Sequence, residues 1–396
     1  MTPAARLQTA ITLLDDILAG EPAERCLTRW ARSSRYAGSR DRAAVRDMVF
    51  DCLRQRRSFH WRSGQAVETG RSILCGYLLA TGEDPVALFD GSDYGAAQLS
   101  GEEIAAFRKD MRDATLADAL DFPDFLLPEL ERSLGDRLVA NLANLQTRAP
   151  VDLRVNSLKS TPVRAAKMLA DEDIGTTDVP TVDTALRVTE NARRVNNSRA
   201  YRDGLVELQD ASSQAVALAA GAKPGMRVVD YCAGGGGKTL ALAATMQNAG
   251  KLIAHDARPA RMKDIPHRAK RAGVQVEVRN TEDMAALHGT CDLVLVDAPC
   301  SGTGSWRRNP DAKWRITEPR LRALSVLQGE ILDIAMKLVR PGGRLVYATC
   351  SILRCENADV IAAFLSRHKG AELAREIVFD VDQAGDGFYF SDIIIS

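Results

Sequence analysis

The stretch RVVDYCAGGGGKT, residues 227–239, decides the fold. It begins as an apolar strand candidate that ends at Asp230, passes through four consecutive glycines, and continues as a helical pattern from Lys238. A glycine-rich turn between a strand and a helix lets a ligand approach the backbone and exposes the first N–H groups of the helix. Four more strand candidates follow, with helical segments between them: LIAHD, VQVEVRN, LVLVDAP and RLVYATCS. This alternation predicts an α/β fold with a doubly wound parallel sheet over residues 216–396.

Two different patterns precede this sheet. Residues 1–145 carry apolar side chains at helical spacing, and the first run stops at Gly20-Glu21-Pro22, which predicts an all-α domain with an acidic helical connector. Residues 146–215 contain the short strand candidates VDLRV, ALRVT and VELQ around a helical segment, which predicts a small α+β segment. The predicted domains are therefore 1–145, 146–215 and 216–396.

Composition excludes several classes of protein. The chain has 396 residues, of which 45% are hydrophobic and 26% are charged, as in globular proteins and unlike disordered ones. No apolar run reaches the roughly 18 residues that a membrane span needs. The first residues lack the pattern of an export signal, and the 8 Cys form no CxxC pair. We expect a cytoplasmic protein with reduced thiols, no metal site and no membrane contact.

Charge is unevenly distributed although the net charge is zero. Residues 1–62 contain 12 Arg and 7 acidic residues, whereas residues 80–135 contain 4 basic and 13 acidic residues. Residues 251–279 and 302–322 are also basic. Arginine favours phosphate and stacking contacts, so these basic segments suit a nucleic acid, although each one alone also fits a solvated, salt-bridged surface.

The glycine-rich loop alone leaves its ligand open. GGGGKT nearly matches a P-loop, and the strand LVLVD ends in an acid as a Walker B strand does, but Cys232 stands where the P-loop requires Gly. Asp256 ends the strand LIAHD, where an acid suits the hydroxyl groups of a ribose. A P-loop nucleoside triphosphatase therefore remains an alternative at this point.

Two cysteines follow two strands of the predicted sheet. Cys300 lies in DAPCSGTG, which begins at Asp297, and Cys350 lies in YATCS. Because ligands bind at the carboxyl ends of parallel strands, both thiols are expected to converge on one site. A thiolate that adds to C6 of cytosine makes C5 nucleophilic toward a methyl donor, with a nearby acid stabilising protonation at N3. The target base must be unpaired or flipped to reach such a site.

Five motifs together resemble the Sun/RsmB family of S-adenosylmethionine-dependent RNA cytosine-C5 methyltransferases: DYCAGGGGKT, DAPCSGTG, RRNPDAKW, PGG with LVYATCS, and ENADV. The resemblance covers about residues 145–390 and implies a Rossmann-like class I methyltransferase sheet. RYAGSRDRAAVRDMVFDCLRQR resembles the NusB-like, RNA-binding helical domain of the ribosomal RNA members. The resemblance to this family implies S-adenosylmethionine as the cofactor. It implies a cytidine in small-subunit ribosomal RNA as the substrate, with transfer RNA as the alternative. We expect the protein to be a monomer. A non-catalytic RNA-binding protein would leave the thiol pair unexplained.

The resemblance also implies residue roles. Cys350 is the nucleophile, Cys300 assists product release, and Asp297 faces the cytosine edge and the cofactor. Asp256 binds the ribose hydroxyls, and Asn280, or else Glu282 or Asp283, lies near the adenine amino group. The residues that hold the methionine end of the cofactor are Cys232, Ala233, Gly234, Gly235, Gly236, Gly237 and Lys238, the last also placed near the target base.

Further matches concern RNA and loop support. Arg154 and Asn156 of LRVNSLK match RNA-side or site-lining motifs of the family, as do Asp210 and Ser212 of QDASSQ, and Asn357 of ENADV supports the Cys350 loop. One departure is clear, since the family loop usually reads CAAPGGK and this chain has two glycines, 234 and 235, in place of Ala-Pro. The loop is therefore expected to be looser, with weaker cofactor affinity.

Overall fold

The structure is a computed structural model that describes residues 1–108 and 110–396. The chain forms two compact units. The first contains Met1–Pro128, Leu142–Arg148 and Trp306–Ile316, and the second contains Glu129–Asn141, Ala149–Ser305 and Thr317–Ser396. None of the helices in the described ranges combines the length and apolar character that a membrane span requires.

Helices account for the regular structure before residue 146. They are α1 (Pro3–Leu18), α2 (Ala23–Ser33), α3 (Ser39–Arg54), α4 (Arg56–Ser63), α5 (Gly70–Thr81), α6 (Pro85–Leu88), α7 (Gly101–Ala105), α8 (Leu116–Ala119), α9 (Leu127–Leu134) and α10 (Leu138–Leu145), with 3-10 turns at Asp124–Leu126 and Gly135–Arg137. Thr2 caps α1 by accepting from the Ala5 N–H, and Pro3 opens the helix, as helix starts favour. Apolar faces of α1, α3 and α5 meet in a buried core that includes Leu14 and Val49.

Residues 306–316, which follow the first thiol motif, belong to the helical unit. Lys313 is buried there and donates from Nζ to the Arg54 carbonyl oxygen at 2.7 Å. Arg54 in turn donates from Nε to the Arg307 carbonyl oxygen at 2.8 Å, and Trp314 donates from Nε1 to the Leu53 carbonyl oxygen at 2.7 Å. Burial lowers the pKa of Lys313 to about 8. The sequence RRNPDAKW thus supplies part of the core of the first unit.

The second unit contains a small antiparallel sheet. Its elements are β1 (Val151–Val155), α11 (Pro162–Ala170), β2 (Thr176–Asp178), β3 (Ala185–Val188), α12 (Arg199–Arg202) and β4 (Val206–Leu208), followed by α13 (Ala211–Ala219). The strand order is β2-β3-β1-β4. The short strand candidates and the helix between them are confirmed.

A larger mixed sheet forms the rest of the second unit. Its elements are β5 (Arg227–Asp230), α14 (Gly237–Thr245), β6 (Lys251–His255), α15 (Ile265–Ala272), β7 (Glu277–Arg279), β8 (Cys291–Asp297), α16 (Pro310–Arg315, in the first unit), α17 (Glu318–Ala335), β9 (Val339–Thr349), α18 (Ala358–Arg367), β10 (Ala371–Phe379) and β11 (Phe388–Ile395), with 3-10 turns at Pro259–Met262, Thr281–Leu287, Thr303–Ser305, Met336–Leu338 and Arg354–Glu356. The strand order is β10-β11-β9-β8-β5-β6-β7.

The pairing in this sheet confirms the predicted fold class and adds to it. Strands β5 to β9 run parallel, and the chain order reverses between β5 and β8. The sequence did not predict β10 and β11, which pair antiparallel with each other, with β11 also antiparallel to β9. An antiparallel edge strand is common on an otherwise parallel sheet, because a hairpin connects neighbouring strands without a crossover helix.

Candidate active site

The carboxyl ends of the central parallel strands border one cavity of about 800 Å³. Its lining combines the loop after β5, Asp256 after β6, the Asp297–Cys300 stretch after β8 and Cys350 after β9. The cavity lies where the strand order reverses, which is the place where open α/β sheets bind ligands. Its volume falls within the usual range for small-molecule sites.

The glycine-rich loop adopts a conformation that needs glycine at two positions. Gly234 has φ +52° and Gly236 has φ +82°, both in the left-handed region. A Cβ atom on Gly236 would lie 2.9 Å from Cγ1 of Ile265, so the backbone packs closely there. Gly236 is the N-cap of α14, whose first N–H groups have no partner within the helix. These donors are suited to a polar or negatively charged ligand group.

Asp256 is buried beside this loop and held by three donors. Its carboxylate accepts from the Gly234 N–H at 3.0 Å, the Arg258 N–H at 2.9 Å and Nη1 of Arg261 at 3.1 Å. Oδ2 accepts two of these bonds and Oδ1 one, so Oδ1 can accept from a hydroxyl group as it stands, and Oδ2 can accept from a neighbouring one if the exposed Arg261 side chain moves away. Contact of Asp256 with the ribose hydroxyls stays a prediction.

Lys238 and Asp297 form an ion pair in the cavity. The Lys238 Nζ lies 2.8 Å from Oδ2 of Asp297 and 5.1 Å from the centre of the Phe388 ring. Burial opposes the charge on Lys238, but Asp297, Cys350 and Asp230 outweigh that effect and raise the pKa of Lys238. The ammonium group is therefore present at neutral pH and acts on the neighbouring thiol.

Cys300 and Cys350 meet as the topology predicts, with their Sγ atoms 3.4 Å apart. The hydrogen bond from Cys300 lowers the pKa of Cys350 despite burial, and the charge of Lys238 contributes to the decrease. The pKa of Cys300 is raised by the same hydrogen bond, by burial and by the nearby Glu356. The Cys300 hydrogen bond, with a smaller contribution from Lys238, thus outweighs burial and the carboxylate of Asp297, both of which raise the pKa of Cys350, and favours Cys350 as the thiolate and Cys300 as the proton donor.

Glu356 joins the two thiol loops, and the sequence did not single it out. Its buried carboxylate accepts from the Ser301 N–H at 2.8 Å, the Ser351 hydroxyl at 2.6 Å and the Gln328 side-chain amide at 3.2 Å. Burial raises the pKa of Glu356, and the serine hydrogen bonds oppose that change. Since Ser301 follows Cys300 and Ser351 follows Cys350, this carboxylate sets the spacing of the thiols.

Asn357 supports the Cys350 loop from the other side. Its Oδ1 accepts from the Thr349 hydroxyl at 2.6 Å, and its Nδ2 donates to the Ser351 carbonyl oxygen at 2.8 Å. Both residues that flank Cys350 are therefore bound to one side chain. This is the contact that the resemblance implied for Asn357.

Comparison with known proteins shows the family. Residues 217–391 match the family model described as 16S rRNA methyltransferase RsmB/F, and residues 122–196 match the ferredoxin-like domain of the same group. The ribosomal RNA small subunit methyltransferase B of an Enterobacter species is 30% identical over 391 residues, covering 90% of this chain and 91% of that protein. The chain belongs to the RsmB/F methyltransferase family.

A further relative and a solved structure also resemble this chain. A probable ribosomal RNA small subunit methyltransferase B from Synechocystis is 31% identical over 283 residues, which cover 70% of this chain and 62% of that protein. The crystal structure of a methyltransferase homologue from Pyrococcus horikoshii has a TM-score of 0.63 and 25% identity, covering 71% of this chain and 97% of that one.

S-adenosylmethionine is the cofactor of this methyltransferase, and the cavity fits it. Asp256 offers a fixed carboxylate for the ribose. Asp230 lines the same cavity, and its buried Oδ1 accepts from no group in the described part of the chain, which suits the cationic methionine end. Burial raises the pKa of Asp230 to about 7, while its other oxygen accepts from the Thr239 hydroxyl at 2.6 Å.

Three residues implied by the RsmB/F resemblance are not among those that line the cavity. Asn280 is exposed, and its neighbour Thr281 lines the cavity instead, bonded to Nε2 of His255 at 3.1 Å. Arg154 and Asn156 are buried, and both donate to backbone carbonyls inside the second unit. Adenine contact by Asn280 and RNA contact by Arg154 and Asn156 stay predictions.

Proposed function

We propose that this protein methylates C5 of a cytidine in small-subunit ribosomal RNA through a covalent bond between Cys350 and C6. The observation that carries the proposal is the 3.4 Å contact between two thiols at the edge of the cofactor cavity. A methyl transfer to an already nucleophilic atom needs no thiol, whereas C5 of cytosine needs a nucleophile at C6. The names of the relatives support the ribosomal substrate.

The first step is addition of the Cys350 thiolate to C6. The C5–C6 π electrons then move through C4 to N3, which takes up a proton from solvent. The carboxylate of Asp297 lines the cavity and is held by Lys238, so it can accept a hydrogen bond from the N3–H that forms and stabilise that protonation. S-adenosylmethionine, when bound, would supply an electrophilic methyl group: C5 would form a bond to that carbon as its bond to the sulfonium sulfur breaks and S-adenosylhomocysteine leaves.

In the last step a water molecule at the site takes up the C5 proton. The electron pair of the C5–H bond restores the C5–C6 double bond and expels the Cys350 thiolate, which frees the methylated RNA. Cys300 lies next to the leaving sulfur, and we assign it to this elimination. Lys238 stabilises the thiolate both before attack and after release, because its charge lies close to Cys350.

Bisulfite sequencing of total RNA tests the substrate. Cells that lack the gene should lose one protected cytidine in small-subunit ribosomal RNA, and the wild-type gene should restore it where a Cys350→Ala gene does not. A lost site in transfer RNA with unchanged ribosomal RNA would move the substrate to transfer RNA. Unchanged protection everywhere would contradict cytosine-C5 methylation.

Asp256→Ala should weaken cofactor binding. Loss of a charge-assisted hydrogen bond costs about 1.5–3 kcal/mol, so the Kd for S-adenosylmethionine should rise about ten- to a hundredfold. Isothermal titration measures this, and RNA affinity should be nearly unchanged. Asp264→Ala, at an exposed carboxylate that precedes α15, is the matched control. Unchanged cofactor affinity in a folded Asp256 variant would remove this residue from the ribose site.

We also propose that the helical domain 1–145 contributes to RNA binding. Arg32, Arg35 and Arg40 are exposed and lie within four residues of Tyr36 in the sequence. Tyr36 and Tyr94 are exposed aromatic side chains that line one surface depression. Arginine contacts phosphates and tyrosine stacks on unpaired bases, so this surface suits single-stranded RNA. Point substitutions test it best, because deletion of residues 1–62 would remove α1 to α3 and nearly all of α4 from the core.

Replacing the three arginines with alanine should weaken RNA binding and flatten its salt dependence. Each lost phosphate contact reduces the slope of log K against log salt by about 0.7 for a single strand. Replacing Tyr36 and Tyr94 should weaken binding without changing that slope. Arg112→Ala is the control, since this exposed arginine is paired with Asp110. If the arginine and tyrosine variants bind RNA with wild-type affinity at every salt concentration, the helical domain does not contribute to RNA binding.

A further inference from the structure

Two arginine side chains bind backbone carbonyls of the glycine-rich loop. Arg154, on β1, donates from Nη1 to the Gly237 carbonyl oxygen at 2.6 Å. Arg268, on α15, donates from Nη1 to the Gly235 carbonyl oxygen. Both contacts fall in or beside the stretch where this chain has glycine in place of the Ala-Pro of the usual family loop.

Both guanidinium groups are held in place by other residues. Arg154 is buried and also donates to Oε1 of Gln209, and burial lowers the pKa of Arg154 to about 10, so it stays charged at neutral pH. The Nη2 of Arg268 lies 2.9 Å from Oε2 of Glu207, a buried carboxylate on β4. Each arginine is thus fixed at one end before it contacts the loop.

We propose that Arg154 and Arg268 are positioning residues that hold the glycine-rich loop in its cofactor-binding conformation. A run of four glycines has the largest conformational entropy to lose, and a loop that is ordered before binding binds its ligand more tightly. The two carbonyl contacts replace the stiffness that Ala-Pro would provide. The inference rests on the proposed function only in taking S-adenosylmethionine as the ligand of this loop.

Strands β1 and β4 thereby contribute to cofactor binding. Arg154 comes from β1, and the carboxylate that anchors Arg268 comes from β4. The small antiparallel sheet, whose residues Arg154 and Asn156 match RNA-side or site-lining motifs of the family, therefore also orders the cofactor loop. Arg154 is buried, so it cannot contact a phosphate group of RNA unless the surrounding structure rearranges.

Arg268→Ala tests the proposal against a close control. The Kd for S-adenosylmethionine should rise about tenfold, as expected for one lost charge-assisted contact. Without cofactor, hydrogen exchange of the amides of residues 233–238 should become faster. Arg271→Ala is the matched control, because Arg271 lies on α15 and pairs with the same Glu207 but stacks on Tyr201 rather than contacting the loop. Both quantities should stay within about twofold of wild type in this control.

A second substitution distinguishes loop stiffness from charge. A Cβ atom on Gly235 would lie 3.3 Å from Nη1 of Arg268 and has no other neighbour within 4 Å. In the Arg268→Ala background that space is free, so Gly235→Ala should restrict the loop and recover about two- to fivefold in Kd. In the wild-type background the crowding should cancel this gain.

Several outcomes would overturn the proposal. Equal Kd and equal exchange in the Arg268 and Arg271 variants would show that the carbonyl contact does not order the loop. Weaker binding without faster exchange, or without recovery by Gly235→Ala, would mean that Arg268 acts through its charge. Arg154→Lys should weaken cofactor binding and leave RNA affinity unchanged, and the reverse would assign Arg154 to RNA. A wild-type protein with an ordered loop and tight cofactor binding that leaves cytidine unmethylated would contradict the proposed function alone.

Discussion

Cys300→Ala is expected to leave the enzyme covalently joined to its methylated RNA, whereas Cys350→Ala should form no adduct and no product. With labelled RNA and S-adenosylmethionine, a denaturing gel should show a slow band for the Cys300 variant only. The physical reason is that Cys350 forms the bond to C6, while release requires the elimination that Cys300 assists. Turnover should fall to background in both variants, which makes this the largest effect expected.

The double variant and a third cysteine provide the controls. Cys300→Ala combined with Cys350→Ala should give no band. Cys291→Ala replaces a buried thiol on β8 that lies outside the cavity lining and should keep wild-type turnover if it folds. A slow band for Cys350→Ala alone would exchange the two roles. Methylation that persists in both single variants without any adduct would rule out covalent catalysis.

Glu356→Ala is expected to have the second largest effect, because one side chain holds both thiol loops. Its loss removes the acceptor of the buried Ser301 N–H and Ser351 hydroxyl hydrogen bonds, at about 1–3 kcal/mol for each group left unsatisfied, whereas the Gln328 amide still donates to the Pro299 carbonyl oxygen. The thiols also lose their fixed spacing, and a displacement of about 1 Å can reduce turnover about a hundredfold. Denaturant unfolding measures the first effect, and single-turnover methylation measures the second.

Two comparisons separate positioning from general destabilisation. Glu356→Gln keeps the size of the side chain and one acceptor, so it should recover much of the stability but less of the turnover. Glu330→Ala, at an exposed position of α17, should change neither. Cofactor affinity should be unchanged in folded Glu356→Ala, because Glu356 does not line the cavity. Wild-type turnover in a folded Glu356→Ala variant would contradict the assignment.

The parallel part of the fold and the meeting of the two thiols could be predicted from the sequence. Buried strands alternate with helices after residue 226, and a parallel sheet brings the carboxyl ends of its strands to one edge. Cys300 and Cys350 each follow such a strand, so their convergence required no knowledge of side-chain packing. The same reasoning placed Asp256 and Asp297 beside them.

The remaining features depend on packing between distant segments. The role of Glu356 needs three donors from separate parts of the chain, which no local pattern indicates. Arg154 lies in a strand motif that suits RNA, yet the folded chain turns it toward Gly237. Strand β11 pairs with the free edge of β9, and that edge exists only in the assembled sheet.

The placement of Trp306–Ile316 in the first unit has an evolutionary consequence. Trp314 contributes to the apolar core of that unit, and Lys313 bonds to α3, although nearly two hundred residues separate this segment from Pro128, where the main part of the unit ends. Recombination at one crossover near residue 146 would leave a foreign helical domain without the segment that completes its core. The two pieces must therefore be inherited together, and a chimera between family members should exchange residues 306–316 along with residues 1–128.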